Sequence, residues 1–419
     1  MDWIQIYLAV FVLCFSMTLV FTPLCRRLAI LTNCMDMPKS EQHKLHGNAT
    51  PLLGGLAMFS AWILTILLSI AATRFLDGTG ATQSVKDGIP GISGVSVEFT
   101  VLCLCAFAAL VLGLWDDKHP MKAGVKFLGQ FLIAATAATW GGVQITLFIG
   151  GALFSWLATV LWLLFIFNAV NFFDNMDGLV VGTAAIAFTF FTLAAVANQQ
   201  YFVACLGSCS AAAAYGFWFY NHAPASIFMG DAGSHFLGFL LGVVSAKVTY
   251  FNPELSSSRF SILIPLFVLA VPIFDALAVI VIRLANHKPI YVGDHNHISH
   301  RFLHMGMTRK RAVLLVHLLA LTSGLGALPL LWGDEETCMV LLLQGIVILT
   351  FLSILQYSGR LPGQTDEKNS PGSPPSPSLV LPAAAQQESP KETQEIPETP
   401  GTAFSSDDGS PETEREKKR

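Results

Sequence analysis

The sequence predicts an all-α fold, a polytopic membrane bundle of about eleven transmembrane helices with its N-terminus outside and its C-terminus in the cytoplasm. Three observations predict it. The first is composition: the chain has 419 residues, 53% hydrophobic and 12% charged, against about 25% charged in soluble domains. Its mean hydropathy is +0.58. The second is a series of apolar runs of the length that crosses a bilayer, about 20 residues. They lie near 3–24, 52–72, 98–115, 124–140, 152–170, 178–197, 201–219, 232–250, 261–283, 312–332 and 338–357. The ninth contains Pro265, Pro272 and Asp275, which predict a kink or break.

The third observation is charge bias between the runs, which sets orientation. Odd-numbered turns carry Arg26, Arg27, Lys39 and Lys44, then Lys118, Lys122 and Lys126, and later Arg283, Lys288, Arg301, Arg309, Lys310 and Arg311. Even-numbered turns hold Arg74 and Lys86 diluted by Asp77, Asp87 and Glu98, then Lys247 and Arg259, then Asp334, Glu335 and Glu336. The basic turns are therefore cytoplasmic, and an odd span count agrees with that.

The first apolar run lacks a basic leader and a small-residue cleavage site, so it reads as a retained helix. The eight cysteines form no CxxC pair and read as small hydrophobes. Net charge is −4 and no basic patch with interleaved aromatics occurs, so no nucleic-acid partner is expected. The membrane body is 1–358. In 359–419 the composition turns to Pro, Ser, Glu, Thr and Lys, which cannot bury enough apolar area to offset chain entropy. That segment is expected to be a disordered cytoplasmic tail.

The predicted topology puts most of the chemistry-bearing residues on the cytoplasmic face. Asp116 and Asp117 are adjacent carboxylates that repel unless a cation or proton lies between them. They read either as a metal or acid–base site or as a charged interface cap. Asn171, Asp174 and Asp177 recur at intervals of three; on one helical turn they would share a face that suits ligand binding, and otherwise they read as an ordinary solvated loop. Asp231 lies among Gly230, Ala232, Gly233 and Ser234 near a helix start. It reads either as a metal ligand beside a phosphate-facing helix N-terminus or as an N-cap.

Asp294, His295, His297, His300 and Arg301 form a loop whose spacing matches no common zinc pattern. It reads as a phosphate-contacting loop or as a plain basic surface. Together the segments offer hard oxygen ligands, which suit Mg²⁺ and phosphoryl transfer.

In order, these pieces resemble the polyprenyl-phosphate N-acetylhexosamine-1-phosphate transferases of glycosyltransferase family 4. Within that superfamily they look most like the bacterial undecaprenyl-phosphate GlcNAc-1-phosphate transferases. The likeness runs from about Thr22 to Tyr357, through His43-Lys44-Leu45-His46, Pro51-Leu52-Leu53-Gly54-Gly55, Asp116-Asp117, Asn171-x-x-Asp174-x-x-Asp177-Gly178, Phe228-Met229-Gly230-Asp231-Ala232-Gly233-Ser234 and the histidine loop.

The resemblance implies that a lipid phosphate attacks the sugar-linked phosphate of a UDP-N-acetylhexosamine, that UMP leaves, and that Mg²⁺, or Mn²⁺ in its place, is required. It makes Asp231 the principal metal ligand, with Asn171 beside it, and puts Asp116 and Asp117 next to the metal and lipid phosphate. Asn171, Asp174 and Asp177 would line the nucleotide pocket, and Asn221 and Phe228 would hold the uracil. His297, His300 and Arg301 would meet the diphosphate or sugar, and Lys44 and His46 would close the mouth. A direct attack is favoured, with Asp116 as base or positioner. The implied partners are a UDP-N-acetylhexosamine, undecaprenyl phosphate and the bilayer of the bacterial inner membrane, and a homodimer is the oligomer left open.

The chain departs from the pattern at three places. His295 stands where the loop has Arg or Lys, Ser299 where it has a middle histidine, and Asn175 where Gly is frequent. The alternatives are a phospho-MurNAc-pentapeptide transferase, which normally carries three adjacent histidines, and a membrane transporter. A transporter would place its acids near the midplane of internal repeats, and none is evident here.

Overall fold

Why these runs become helices follows from the solvent: in hydrocarbon every backbone N–H and C=O needs an internal partner. The computed structural model describes residues 2–36, 49–76, 96–145, 151–251, 258–287, 289 and 297–358. All lie in the unit Met1–Pro362. Lys44, His46, Asp294, His295 and the segment 359–419 lie outside the described residues.

Each of the eleven apolar runs is helical: α1 (Trp3–Leu31), α2 (Gly54–Leu76), α3 (Ser96–Lys118), α4 (Ala123–Trp140), α5 (Ala152–Phe173), α6 (Leu179–Ala197), α7 (Tyr201–Asn221), α8 (Gly230–Lys247), a broken ninth, α12 (Arg309–Ala327) and α13 (Glu335–Ser358). The ninth is a 3-10 turn (Arg259–Leu263) running into α9 (Ile264–Val268), followed by α10 (Ala270–Ala285), with a 71° bend between them. The predicted break falls at Leu269, between the two prolines. Pro265 and Pro272 each occupy the first turn of a helix, where a missing N–H costs no hydrogen bond. A short helix, α11 (Ile298–His304), follows.

By length and composition the described residues hold eight spans, or nine with the bent pair counted as one. The expectation of eleven exceeds this by α4 and α8, each 18 residues long. The reason differs along the bundle. Helix α8 is central: α2, α3 and α5 pack against it, and every residue from Ala232 to Ser245 is buried. A helix enclosed by protein need not be apolar enough for lipid. Helices at the periphery show the opposite pattern. Val340, Leu343, Val347, Phe351 and Ile354 of α13 are exposed, as a lipid-facing surface requires.

Two close approaches fix the packing. At Gly113 a Cβ would sit 2.3 Å from the backbone oxygen of Asp231, so α3 crosses the start of α8 nearly backbone to backbone. Small residues at such crossings are how membrane helices gain packing contact. A two-residue antiparallel pair, β1 (Met35–Asp36) with β2 (Thr50–Pro51), was not foreseen in an all-α chain. Its Pro51 oxygen accepts from Phe228 N at 2.8 Å, and Gly54 N and Gly55 N donate to Phe228 O and Met229 O, both at 3.0 Å. The Pro51–Gly55 motif is thus a clamp on the turn before α8. All eight cysteines are free thiols.

Candidate active site

The site is assembled where the ends of four helices meet. Asp116 and Asp117 close α3. Lys126 sits in the first turn of α4, Asn171 in the last turn of α5, and Asp231 in the first turn of α8. Lys126 Nζ lies 2.7 Å from Asp116 Oδ2 and 3.2 Å from Asp231 Oδ2. Asn171 Nδ2 donates to Asp231 Oδ1 at 2.6 Å and to Ser234 Oγ at 2.8 Å. Asp116 Oδ1 also accepts from Met121 N at 2.7 Å. Two carboxylates from different helices therefore converge on one positive charge.

Asp117 does something else. Its Oδ1 accepts from Asp231 N at 2.7 Å and its Oδ2 from Ala232 N at 3.1 Å. These are leading N–H groups of α8, which have no partner inside their own helix. The N-terminus expected to face phosphate is instead capped, in part, by a carboxylate from α3, and the macrodipole favours the negative charge there. Gly230, at φ +67°, makes room: a Cβ would lie 2.5 Å from Asp117 Oδ2. Asp231 itself is not the N-cap, because it lies inside the first turn.

The triplet at intervals of three is corrected as well. Helix α5 stops at Phe173, and Asp174 has left helical geometry at ψ 72°. Asn171 alone is helical, and Asp174 and Asp177 belong to the loop to α6. Asp174 is open on one side. The surrounding protein still desolvates its carboxylate, and the charges of Asp231, Asp117 and Asp177 add to that, holding it well above the usual carboxylate range. Asp177 Oδ2 accepts from Ala225 N at 3.0 Å. Asn221 is buried and fully engaged, its Oδ1 accepting from Gly178 N and its Nδ2 donating to Ile227 O. It joins two loop walls, and Phe228 sits in the turn beyond it.

The histidine segment is held from two sides. His297 Nδ1 lies 2.6 Å from Asp275 Oδ2, and Ile298 N donates to Asp275 Oδ1 at 2.7 Å. Both side chains are almost fully buried. Across from this, Ser299 Oγ donates to Asn175 Oδ1 at 2.6 Å. The last of these contacts brings the first turn of α11, the helix that carries His300 and Arg301, against the Asp174–Asp177 loop. Removing one side of a buried pair costs about 3–5 kcal/mol. Asp275→Ala is therefore expected to lower stability by about 3 kcal/mol, measured by thermal unfolding. An unchanged unfolding transition would show that Asp275 does not moor α11.

Sequence reasoning missed Lys126, which it used only as a charge marker, and it gave Asp275, placed on the same membrane face, no role in the site. It also missed Gln130 and His235. His235 Nδ1 meets Asp231 O at 2.7 Å, and its other nitrogen lies 3.3 Å from Gln130 Nε2. That chain of contacts fixes the Asp231 backbone from below.

Among the described residues no three His, Cys, Asp or Glu side chains form a ready-made metal cage. Mg²⁺ does not need one, since it is held by one or two carboxylates with waters and substrate phosphates. Asp231 and Asp116, already sharing a cation, fit that donor set. Asn171 as placed presents its amide hydrogens to Asp231 and so orients that carboxylate.

Residues 99–249 match the glycosyl transferase family 4 pattern, the stretch that holds α3 to α8. A probable undecaprenyl-phosphate N-acetylglucosaminyl 1-phosphate transferase of Bacillus subtilis is 30% identical over 368 residues, covering 86% of this chain and 93% of that protein. The chain belongs to this family. A decaprenyl-phosphate N-acetylglucosaminephosphotransferase of Mycolicibacterium smegmatis is 29% identical, with 82% of this chain and 86% of that protein covered. A phospho-N-acetylmuramoyl-pentapeptide-transferase of Bacillus cytotoxicus is 32% identical over a shorter stretch, 58% of this chain and 74% of that protein. Family membership covers the capped α8, the Lys126-bridged carboxylates and the Asn171 contact, since all lie inside the matched region.

Proposed function

We propose that the chain transfers N-acetylhexosamine-1-phosphate, GlcNAc-1-phosphate by preference, from a UDP-sugar to undecaprenyl phosphate on the cytoplasmic side of the bacterial inner membrane. UMP is released, and the product starts a lipid-linked cell-surface polysaccharide. The observation that carries this reading is the convergence of Asp116, Lys126, Asn171 and Asp231 from four helices at one end of the bundle. The family's named relatives act with polyprenyl phosphates, which supports the acceptor. The longer coverage by the N-acetylglucosamine relatives favours that donor over a MurNAc-pentapeptide one, as does the absence of three adjacent histidines.

In this reading a lipid phosphate oxygen attacks the sugar-linked phosphorus, and the bond from that phosphorus to the UMP oxygen breaks. A phosphate monoester already carries nearly two negative charges at neutral pH, so the attacking oxygen needs little deprotonation. Asp116, with both oxygens accepting hydrogen bonds, acts as a positioner of Lys126. Mg²⁺, held by Asp231 and Asp116, would offset charge on the donor diphosphate. Lys126 adds a fixed positive charge where the transferring phosphoryl group passes. Asn171 orients Asp231, and Asp117 anchors the turn that carries it. Asp174, Asp177 and Phe228 line the nucleotide side, with Asn221 fixing its walls. His297, His300 and Arg301 meet the diphosphate or sugar.

Purified full-length protein with undecaprenyl phosphate, Mg²⁺ and a panel of UDP-GlcNAc, UDP-GalNAc and UDP-MurNAc-pentapeptide tests this. UMP release is expected to be fastest with UDP-GlcNAc and to be lost on chelation with EDTA. No UMP from any of the donors sinks the reading, and EDTA-resistant turnover sinks the metal.

A further inference from the structure

The donor-facing end of the site is built from two pieces that the chain folds separately: the loop Asp174–Asp177, and α11 with His297, His300 and Arg301. One side-chain contact described between them is the hydrogen bond from Ser299 Oγ to Asn175 Oδ1, at 2.6 Å. Ser299 is fully buried, and Asn175 is partly buried between the two acids of its loop. The N-terminal end of α11 is fixed to α10 through Asp275. The bond to Asn175 therefore sets how far α11 stands from the acidic loop. These two residues are also among the positions where the sequence leaves the pattern it resembles, and here they touch.

Asn175 carries a second feature. Its Nδ2 is buried and has no hydrogen-bond partner among the described residues. A buried donor without an acceptor costs free energy that binding can recover. Asn175 is flanked by Asp174 and Asp177, both assigned to the nucleotide side, so this unpartnered donor belongs to the loop that would meet the donor.

We propose that Ser299 and Asn175 form a positioning pair that fixes the spacing between α11 and the acidic loop and thereby sets affinity for the UDP-N-acetylhexosamine donor, with Asn175 Nδ2 donating to a donor oxygen. This rests on the donor class proposed above. Neither residue takes part in bond making. The pair acts on donor binding, and so on KM, leaving the transferring phosphoryl group to Asp231, Asp116 and Lys126.

A double-mutant cycle on the full chain tests it, with UMP release as the rate and titration calorimetry of UDP-GlcNAc as a readout that needs no turnover. Ser299→Ala is expected to raise KM about fivefold, the worth of one hydrogen bond, with kcat within about twofold of the unmodified chain. Asn175→Ala loses both the latch and the free donor, so its KM rises further, about twentyfold for two bonds. The double variant matches Asn175→Ala alone, because the shared contact can be lost only once. Ser299→Thr keeps the hydroxyl and restores KM toward that of the unmodified chain, which a purely structural role for a small buried residue would not predict.

Multiplying effects in the double variant would overturn the proposal, as would lowered kcat at unchanged KM or binding constants unmoved in both single variants. Absence of UDP-GlcNAc binding to the unmodified chain would overturn the donor reading and this proposal together. Normal binding there with unmoved variants overturns the proposal alone.

Discussion

Asp231→Asn is expected to reduce UMP release by about 10³-fold, the loss typical of removing one electrostatic contact to a developing charge, while the protein stays folded. The carboxylate accepts from Asn171 Nδ2 and from Lys126 Nζ. An amide keeps one acceptor for Asn171 but turns hydrogens toward Lys126 and offers a cation no negative charge. The backbone of residue 231 is held independently by Asp117 and His235, so the turn has no reason to unravel. Thermal unfolding should therefore be close to that of the unmodified chain. Activity within about tenfold of the unmodified protein, at saturating Mg²⁺ and donor, would remove Asp231 from the centre of the account; a tenfold change is only about 1.4 kcal/mol of barrier.

Asp117→Asn is expected to act by another route. One carboxylate accepts the N–H groups of both Asp231 and Ala232. Asparagine can accept one of them and must point its own donor at the other. Hydrogen bonds to charged groups are worth about 1.5–3 kcal/mol each, and an N-cap change alone costs about 1 kcal/mol. The first turn of α8 then loosens, and Asp231 shifts relative to Asn171 and Lys126. A displacement near 1 Å from a remote change costs about 10²-fold in rate. The expected signature is a kcat lower by about 10²-fold together with reduced thermal stability. Asp231→Asn lowers the rate without that loss of stability. Unaltered kcat and unaltered unfolding in Asp117→Asn would mean the cap is incidental.

The contrast between these two variants marks what the sequence could reveal. Apolar runs respond to the hydrocarbon core, a uniform solvent, so the helices are readable residue by residue. The break in the ninth run was readable too, because proline acts locally. The roles of Asp117 and Lys126 were not. Each is decided by a partner more than one hundred residues away, since Lys126 and Asp231 are 105 positions apart and Asp117 and Asp231 are 114. No local pattern records such a pairing. Adjacent carboxylates at 116 and 117 looked equivalent, yet one faces a shared cation and the other caps a helix.

The Asn171–Asp174–Asp177 spacing misled for a related reason. A period of three fits a helix only while the helix lasts, and α5 ends at Phe173, before the second member. Asn221 was read as a pocket residue from resemblance. Its amide is spent on Gly178 and Ile227, which makes it a support for the pocket wall. The α8 helix reads as a marginal span because Asp231, Ser234 and His235 lower its hydropathy, and those are the residues that make it the centre of the site.

The most direct test of phosphosugar transfer is the fate of the phosphate attached to the sugar. Purified full-length protein is incubated with Mg²⁺, undecaprenyl phosphate and UDP-GlcNAc carrying ³²P in that phosphate, and lipid and nucleotide fractions are separated. The account predicts that the label moves into the lipid fraction with the sugar and that the released nucleotide is unlabelled UMP. Label recovered in UDP, with sugar alone on the lipid, would mean cleavage at the glycosidic carbon and would contradict it.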